Sequence, residues 1–571
     1  MSNVNELYVL GKKYFDEKDY PTAVKLYLMA AEQNCSDAAY DLGLCYENGW
    51  GVNKDLAEAM KWYRKSAELE KISSSNSEVK SPSPNVTNNV VETPSSVVGS
   101  TPSADELNKL GNECEKNKEY AKAVEYYHKA AMMGHAGAQM NLGLCYAIGR
   151  GVKSDNDEAI KWYQKSAEQG NKYAQSNLAN QLYNKNNYVE AVKWYQKSAE
   201  QGFVYAQYRM GLCYELGKGV SKSFTDAAKW YRLSAEQGDE YAQYNLGYLY
   251  ENGLGIAKDL MEAAKWYTKS AEKKYSAAQC ALGRCYEKGI GVEKDIKAAI
   301  EWYRKSVEQG NIHAQYHLGN CYYFTIKDYT EAAKWYAKAS EKGLSQAQGN
   351  LGRCYEYGYG VTKDLVEAAK WYRKASEQGN LLAQYCLGLL YEDGRGVTKD
   401  FVEAVKWYTK AAEQGLEEAQ NALGLCYEKG VGVTKNIDIA IEWYRKAAEQ
   451  GGKHAQSNLA NLLYNKNNYV DAVKWYQKSA EQGRDYAQYR LGICYELGKG
   501  VSKSFVDAAK WYAKAAEQGY ESAQYELGIC YFEGKGVSKD KKLAKHWLQK
   551  AADQGNINAK DKLGGLWAMF C

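Results

Sequence analysis

His313, His317 and Cys321 are the side chains of this chain whose spacing most suggests inorganic chemistry. Intervals of four place them along one helical face, and imidazole and thiolate are the ordinary ligands of zinc. Cys321, however, falls in a slot that recurs along the chain as an apolar packing position, and His317 in a slot of variable character. No metal is expected. Pairs such as Gly253/Gly255 suggest a phosphate cradle, but they lack the third glycine and the preceding strand of a dinucleotide fingerprint. No Ser-His-Asp or Cys-His arrangement stands in a recognisable context. The fourteen cysteines do not read as a disulfide scaffold either. Nine of them (Cys45, Cys145, Cys213, Cys285, Cys321, Cys354, Cys426, Cys494 and Cys530) follow a leucine or methionine by three, and Leu249 and Leu390 occupy the same slot elsewhere. A position that takes Cys or Leu is a packing position, so these thiols are expected reduced and buried. No enzyme and no cofactor are expected.

The elements that carry these residues repeat. Thirteen of the fifteen tryptophans share one register, from Trp62 and Trp162 to Trp547, and all but Trp547 precede a tyrosine. Most neighbours lie 36 residues apart, some 32 or 33, with one gap of 100 between Trp62 and Trp162. A period of this size marks a helical solenoid. In residues 239–274, Ala242, Leu246, Gly247 and Tyr250 have helical spacing. Gly247 predicts close approach of a neighbouring helix, Gly253 a left-handed C-cap, and Asp259 with Glu262 a capping-box-like start. Ala263, Trp266, Tyr267, Ser270 and Ala271 form the apolar stripe of a second helix. Most repeats end in Glu-Gln-Gly; here Lys274 stands in place of the glycine. The count is fifteen helix pairs, ten long with the Gly-x-Gly loop and five short without it, followed by an unpaired helix that caps the open end.

The long repeat, A-x3-L-G-x2-Y-x2-G-x-G-V-x2-D-x3-A-x2-W-Y-x2-A-A-x2-G, resembles the Sel1-like repeat, and residues 242–271 match it nearly position for position. The short repeats look like tetratricopeptide repeats. The resemblance implies an all-α, right-handed α-solenoid whose first helices line the concave face, and the function of a scaffold or adaptor. A longer period lies over the short one: the sequence from Asn177 returns 281 residues later, so residues 172–311 and 452–571 should present similar surfaces.

Residues 1–69 hold two repeats, 70–104 a Ser/Thr/Pro/Asn-rich excursion loop, and 105–571 the main array, its first helix starting near Leu107. Four of the five prolines lie in the excursion, each after Ser or Thr. Ser81, Ser83, Thr93 and Thr101 are therefore candidate sites of proline-directed phosphorylation. Two repeats alone are marginal, so the stack is expected to continue across the interruption.

Positive and negative charges nearly cancel, 74 Lys+Arg against 70 Asp+Glu, which argues against a nucleic-acid partner. The first residues show no leader-like pattern and no run is apolar enough for membrane insertion, so a cytoplasmic protein is expected. Two ladders are predicted to face the groove. Tyr208, Tyr244, Tyr316, Tyr385, Tyr489 and Tyr525 form one; Glu215, Glu251, Glu287, Glu356, Glu392, Glu428 and Glu496 form the other. Lysines such as Lys161, Lys193, Lys229 and Lys265 crowd the second helices. An acidic, aromatic groove would take protein partners, including basic extended segments. The main expectation is an interaction scaffold; the alternative is a regulatory subunit or activator that positions a partner enzyme.

Overall fold

The computed structural model describes residues 2–55, 58–59, 61–63, 65–66, 69 and 102–570. Every regular element among them is helical, and nearly all the helices are thirteen residues long. The chain is an α-solenoid of antiparallel helix pairs, divided into two compact modules, Met1–Lys294 and Asp295–Cys571. The four candidate phosphorylation positions, Ser81, Ser83, Thr93 and Thr101, lie outside the described residues, as does nearly all of the excursion. The helix after it begins earlier than Leu107, at Ala104. Ser103 and Glu106 form a full capping box there, which accounts for the earlier start.

The pair Glu240–Asn252 and Leu260–Glu272 shows how the sequence sets each element. Asp239 caps the first helix, accepting from the Ala242 amide at 2.7 Å. Gly253 ends it at φ 68°, in the left-handed region. Gly255 has a different task. A Cβ on it would lie 2.2 Å from the Phe224 carbonyl carbon, so its hydrogen lets the loop sit on the first turn of the preceding pair's second helix. Asp259 caps the second helix through the Met261 and Glu262 amides, at 2.9 and 3.0 Å. The reciprocal half of the expected box is missing: the Asp259 amide donates to the Tyr250 carbonyl, and Glu262 pairs with Lys265 at 2.6 Å. Lys274 adopts φ 65° where other pairs place glycine.

Trp and Tyr of the recurring dipeptide face different neighbours. The tyrosine closes its own pair: Tyr267 is fully buried, and a Cβ on Gly247 would meet its ring at 2.9 Å. The tryptophan joins consecutive pairs. Trp162 packs with Ala123, Val124 and Tyr127 of the pair before it, and Trp407 with Ala368 and Tyr372. A lysine three residues on covers the tryptophan ring, as Lys165 does Trp162 at 4.2 Å and Lys410 does Trp407 at 4.0 Å. The nine recurring cysteines are all buried. Burial pushes several of these thiols up, Cys213 to about 11 and Cys285 to about 12, which keeps them protonated and unreactive.

Within the first module the N-terminal pairs pack against those that follow the excursion. Lys118 pairs with Glu32 at 2.5 Å, Arg150 with Glu58 at 3.5 Å, and Lys61 donates to the Tyr120 hydroxyl at 3.3 Å. Ala559 and Leu563 of the terminal helix Ile557–Phe570 cover Leu548, Ala551 and Ala552.

One short pair departs from its relatives. Leu318 to Tyr329 is one residue longer than Leu178 to Tyr188 or Leu459 to Tyr469. The helix absorbs the extra residue as a π-turn, Cys321–Ile326, closed by Lys327 at φ 64°. Phe324 and Ile326 emerge on its surface, 59% and 47% exposed.

Candidate partner-binding surface

The first helices of consecutive pairs lie side by side and carry both predicted ladders. Tyr208, Tyr244, Tyr316, Tyr385 and Tyr489 are half-buried, each resting an edge near the core tyrosine of its own pair: 6.0 Å to Tyr231, 5.6 Å to Tyr267, 6.2 Å to Tyr336, 5.8 Å to Tyr408 and 6.0 Å to Tyr512. Tyr525 rests instead on the cluster around Leu548, because leucine replaces the core tyrosine in that pair. In the first module Tyr208, Tyr241, Tyr275 and Tyr244 continue as one run of ring contacts, with centroids 4.8 to 5.9 Å apart. Tyr40 reaches across to Tyr241, hydroxyl to hydroxyl at 2.8 Å, so this module's first-helix face closes on itself there.

The glutamates are tied to the core. The buried hydroxyl of Tyr267 donates to Glu251 at 2.8 Å, Tyr372 to Glu356 at 2.8 Å, Tyr408 to Glu392 at 2.5 Å, Tyr444 to Glu428 at 2.7 Å and Tyr512 to Glu496 at 2.7 Å; Tyr231 donates likewise to Glu215. Glu287 is half-buried at the equivalent position. Burial and the adjoining carboxylate both push these phenols up, so each stays a donor. Glu251 also takes Arg284 at 2.6 Å, and Glu356 takes Arg395 at 3.1 Å. In the short pairs asparagine replaces glutamate as acceptor: Tyr195 donates to Asn180 and Tyr476 to Asn461. The second-helix lysines are locally neutralised, each by a carboxylate three residues back: Lys161 by Glu158, Lys193 by Glu190, Lys229 by Asp226 and Lys265 by Glu262, at 2.6 to 3.0 Å.

His313, His317 and Cys321 do not converge. His313 is exposed, His317 stacks on Tyr303 at 5.3 Å, and Cys321 is buried. No group of three metal-ligating side chains converges among the described residues.

A glutamine ladder escaped the sequence reading. Gln207 donates through Nε2 to the Ala199 carbonyl of the preceding pair at 3.1 Å, and its Oε1 accepts from Gln237 at 2.7 Å. The Gln–Gln link, together with the bond to a helix-end carbonyl of the preceding pair, recurs along the array, as at Gln139 with Gln169 and Gln524 with Gln554. It satisfies helix-end carbonyls that stacking would otherwise bury unpaired. Gln243 and Gln315 keep an unpartnered Oε1, and in both pairs lysine (Lys273, Lys342) stands where the donor glutamine belongs. The recurring Ala-Gln and Glu-Gln-Gly were the visible signal.

Repeated short helix pairs that bury apolar clusters against their neighbours within each module define an α-solenoid repeat protein. The Sel1 repeat model matches fourteen times, at 6–35, 36–71, 108–135, 136–171, 173–203, 204–239, 240–275, 276–311, 312–344, 345–380, 381–416, 417–452, 485–520 and 521–556. A tetratricopeptide repeat model matches 435–487, which spans the remaining short pair. The chain belongs to the Sel1 repeat family. It is similar to the crystal structure of c5321, a protective antigen of uropathogenic Escherichia coli with an SLR fold, at 34% identity and TM-score 0.59, covering 78% of this chain and 91% of that one. A Sel1 repeat protein from Oxalobacter formigenes is 31% identical over 48% of this chain and 96% of its own, with TM-score 0.33. DAP3-binding cell death enhancer 1 from Rattus norvegicus is 45% identical over 51 residues, which is 9% of this chain and 10% of that protein. The chain thus spans about a tenth of the length of that curated relative. No helix among the described residues is long and apolar enough to cross a membrane.

Proposed function

We propose that the chain is a protein-interaction scaffold whose first-helix faces take extended segments of partner proteins. The supporting observation is the half-buried tyrosine ladder: each ring is held on one side by the core of its pair and stays partly exposed at a repeated position, Tyr385 with no second ring against it among the described residues. Rigid, half-buried aromatics lose little entropy on contact and are enriched at interfaces. Beside them Glu215, Glu392, Glu428 and Glu496 each engage the core tyrosine through Oε2, which leaves Oε1 for a basic side chain of the segment. The role is binding rather than catalysis.

The test uses the full chain and a labelled peptide of alternating Lys and Tyr. Glutamine keeps the acceptor that the core tyrosine needs and removes only the charge. The variant carrying Glu215→Gln, Glu392→Gln, Glu428→Gln and Glu496→Gln should bind the peptide about tenfold more weakly, the equivalent of one charge-assisted contact. Equal affinity would overturn the assignment of basic segments to this face. Binding unaffected by Tyr385→Ser and Tyr489→Ser, in a chain that keeps its helicity, would overturn the face itself.

A further inference from the structure

Some arginines near the first-helix faces have a counter-ion. Arg284 has Glu251, Arg395 has Glu356, and Arg150 has Glu115 at 2.7 Å. Three do not. Arg209, Arg353 and Arg490 make no ion pair among the described residues, and the Nε of each is buried without an acceptor. All three occur where a short pair meets the long pair after it. Each guanidinium lies over the tyrosine of the short pair's first helix: Arg209 over Tyr183 at 4.6 Å, Arg353 over Tyr323 at 4.8 Å, Arg490 over Tyr464 at 4.8 Å. A second ring completes the box, Tyr195 at 5.3 Å, Phe324 at 5.7 Å and Tyr476 at 5.6 Å respectively. Each arginine therefore sits between two consecutive first helices, on the face assigned above.

Arg209 and Arg490 are equivalent across the 281-residue duplication, but Arg353 is not their counterpart: Asn350 holds that position, and Arg353 reaches Tyr323 from one turn further on. The same arrangement thus arises from two different positions in the repeat, which shared ancestry alone does not produce. In the two duplicated boxes a lysine of the Gly-Lys-Gly loop adds a second cation: Lys218 over Tyr188 and Lys499 over Tyr469, both at 4.7 Å.

A half-desolvated guanidinium fixed by ring faces, with its Nε buried and unmatched and no counter-ion beside it, is costly unless an anion meets its open edge. We infer that Arg209, Arg353 and Arg490 are docking positions for the carboxylates of an acidic segment of a partner protein. Charge complementarity and geometry set that occupant. One planar guanidinium matches one carboxylate through paired N–H donors, while the ring faces leave only the guanidinium edge to be approached. A phosphate dianion calls for the several converging donors of an arginine cluster, and each box holds one arginine. The inference rests on the first-helix face being the binding face, and adds carboxylates as a second class of group read there.

Titration of the full chain with a labelled oligoglutamate peptide tests it, with a serine-phosphorylated peptide of equal length and the Lys-Tyr peptide as the other arms. Arg209→Gln with Arg490→Gln should weaken oligoglutamate binding about tenfold, leave the Lys-Tyr peptide unaffected, and leave the melting temperature equal or higher. Lys218→Gln with Lys499→Gln, on partly exposed loops, should weaken it less while helicity is kept. Undiminished oligoglutamate binding in both double variants overturns the inference, as does tighter binding of the phosphopeptide. If the Lys-Tyr peptide binds and oligoglutamate does not, the inference fails and the scaffold reading stands; if neither binds, the face itself is wrong.

Discussion

Replacing Glu356 decides whether the glutamate ladder is part of the fold or only a surface charge. Glu356 is 6% exposed. Its Oε2 accepts from the Tyr372 hydroxyl at 2.8 Å, and its Oε1 from Arg395 at 3.1 Å. Glu356→Gln keeps an acceptor for the phenol and loses the charge opposite Arg395, at a cost of about 1–2 kcal/mol. Glu356→Lys leaves the phenol without its acceptor, worth about 1–3 kcal/mol. It also sets two cations together, where breaking a fully buried pair costs about 3–5 kcal/mol. Arg395 is 38% exposed on its side chain, so solvent lowers that second penalty and the total for lysine is about 3–4 kcal/mol. Repeat arrays unfold in parts, so a single melting temperature understates a local effect. The assay is amide hydrogen exchange in helices Ser345–Tyr357 and Leu365–Glu377, with urea unfolding of the full chain beside it. Exchange in those helices should speed up strongly in the lysine variant and modestly in the glutamine variant. Wild-type protection in Glu356→Lys would refute the reasoning and return the ladder to the surface.

The segment Glu272-Lys273-Lys274 departs from the usual Glu-Gln-Gly twice, and each departure has a separate cost. Lys273→Gln supplies the missing donor to Gln243 Oε1, and Lys274→Gly relieves the positive φ; each should stabilise by about 1 kcal/mol in urea titrations, and no gain from either would refute the ladder and the strain argument respectively. Burial, with the charge of Glu496 adding to it, pushes the Glu526 carboxyl up to about 7, against the pull of Lys535. Between about pH 4.5 and 7 the folded chain holds a proton that the unfolded chain has released, so this group's contribution falls as pH rises through that window, by about 1–3 kcal/mol, and then levels. Glu526→Gln should flatten the slope; an unchanged pH profile would show that the carboxyl titrates normally.

Fold class and the apolar stripe were legible because they depend on period. A Trp-Tyr pair recurring mostly every 36 residues with glycine stops leaves a helical solenoid as the simplest fold, and Sel1 repeats match most of the length. The buried reduced cysteines and the close approach at Gly247 were legible for the same reason: a slot that takes Cys or Leu, or a glycine inside a helix, has few uses. The glutamates were harder. A carboxylate five residues after a leucine looks like solvated helix end, and nothing local says that a phenol sixteen residues on will claim it. The unpartnered arginines were harder still, since a missing counter-ion is a property of what surrounds a residue.

The sequence by itself determined the alternation of helices, their glycine stops and the number of pairs, because these follow from backbone propensity and contacts within about four residues. Tertiary structure decided the division of labour between Trp and Tyr, the second glycine of each loop as a seat for the preceding pair, and the glutamine links between helix ends. It also decided which charges were spent inside the stack. Stacking brings side chains some thirty residues apart into hydrogen-bonding distance, and the free charges of a solenoid are those that this pairing leaves over.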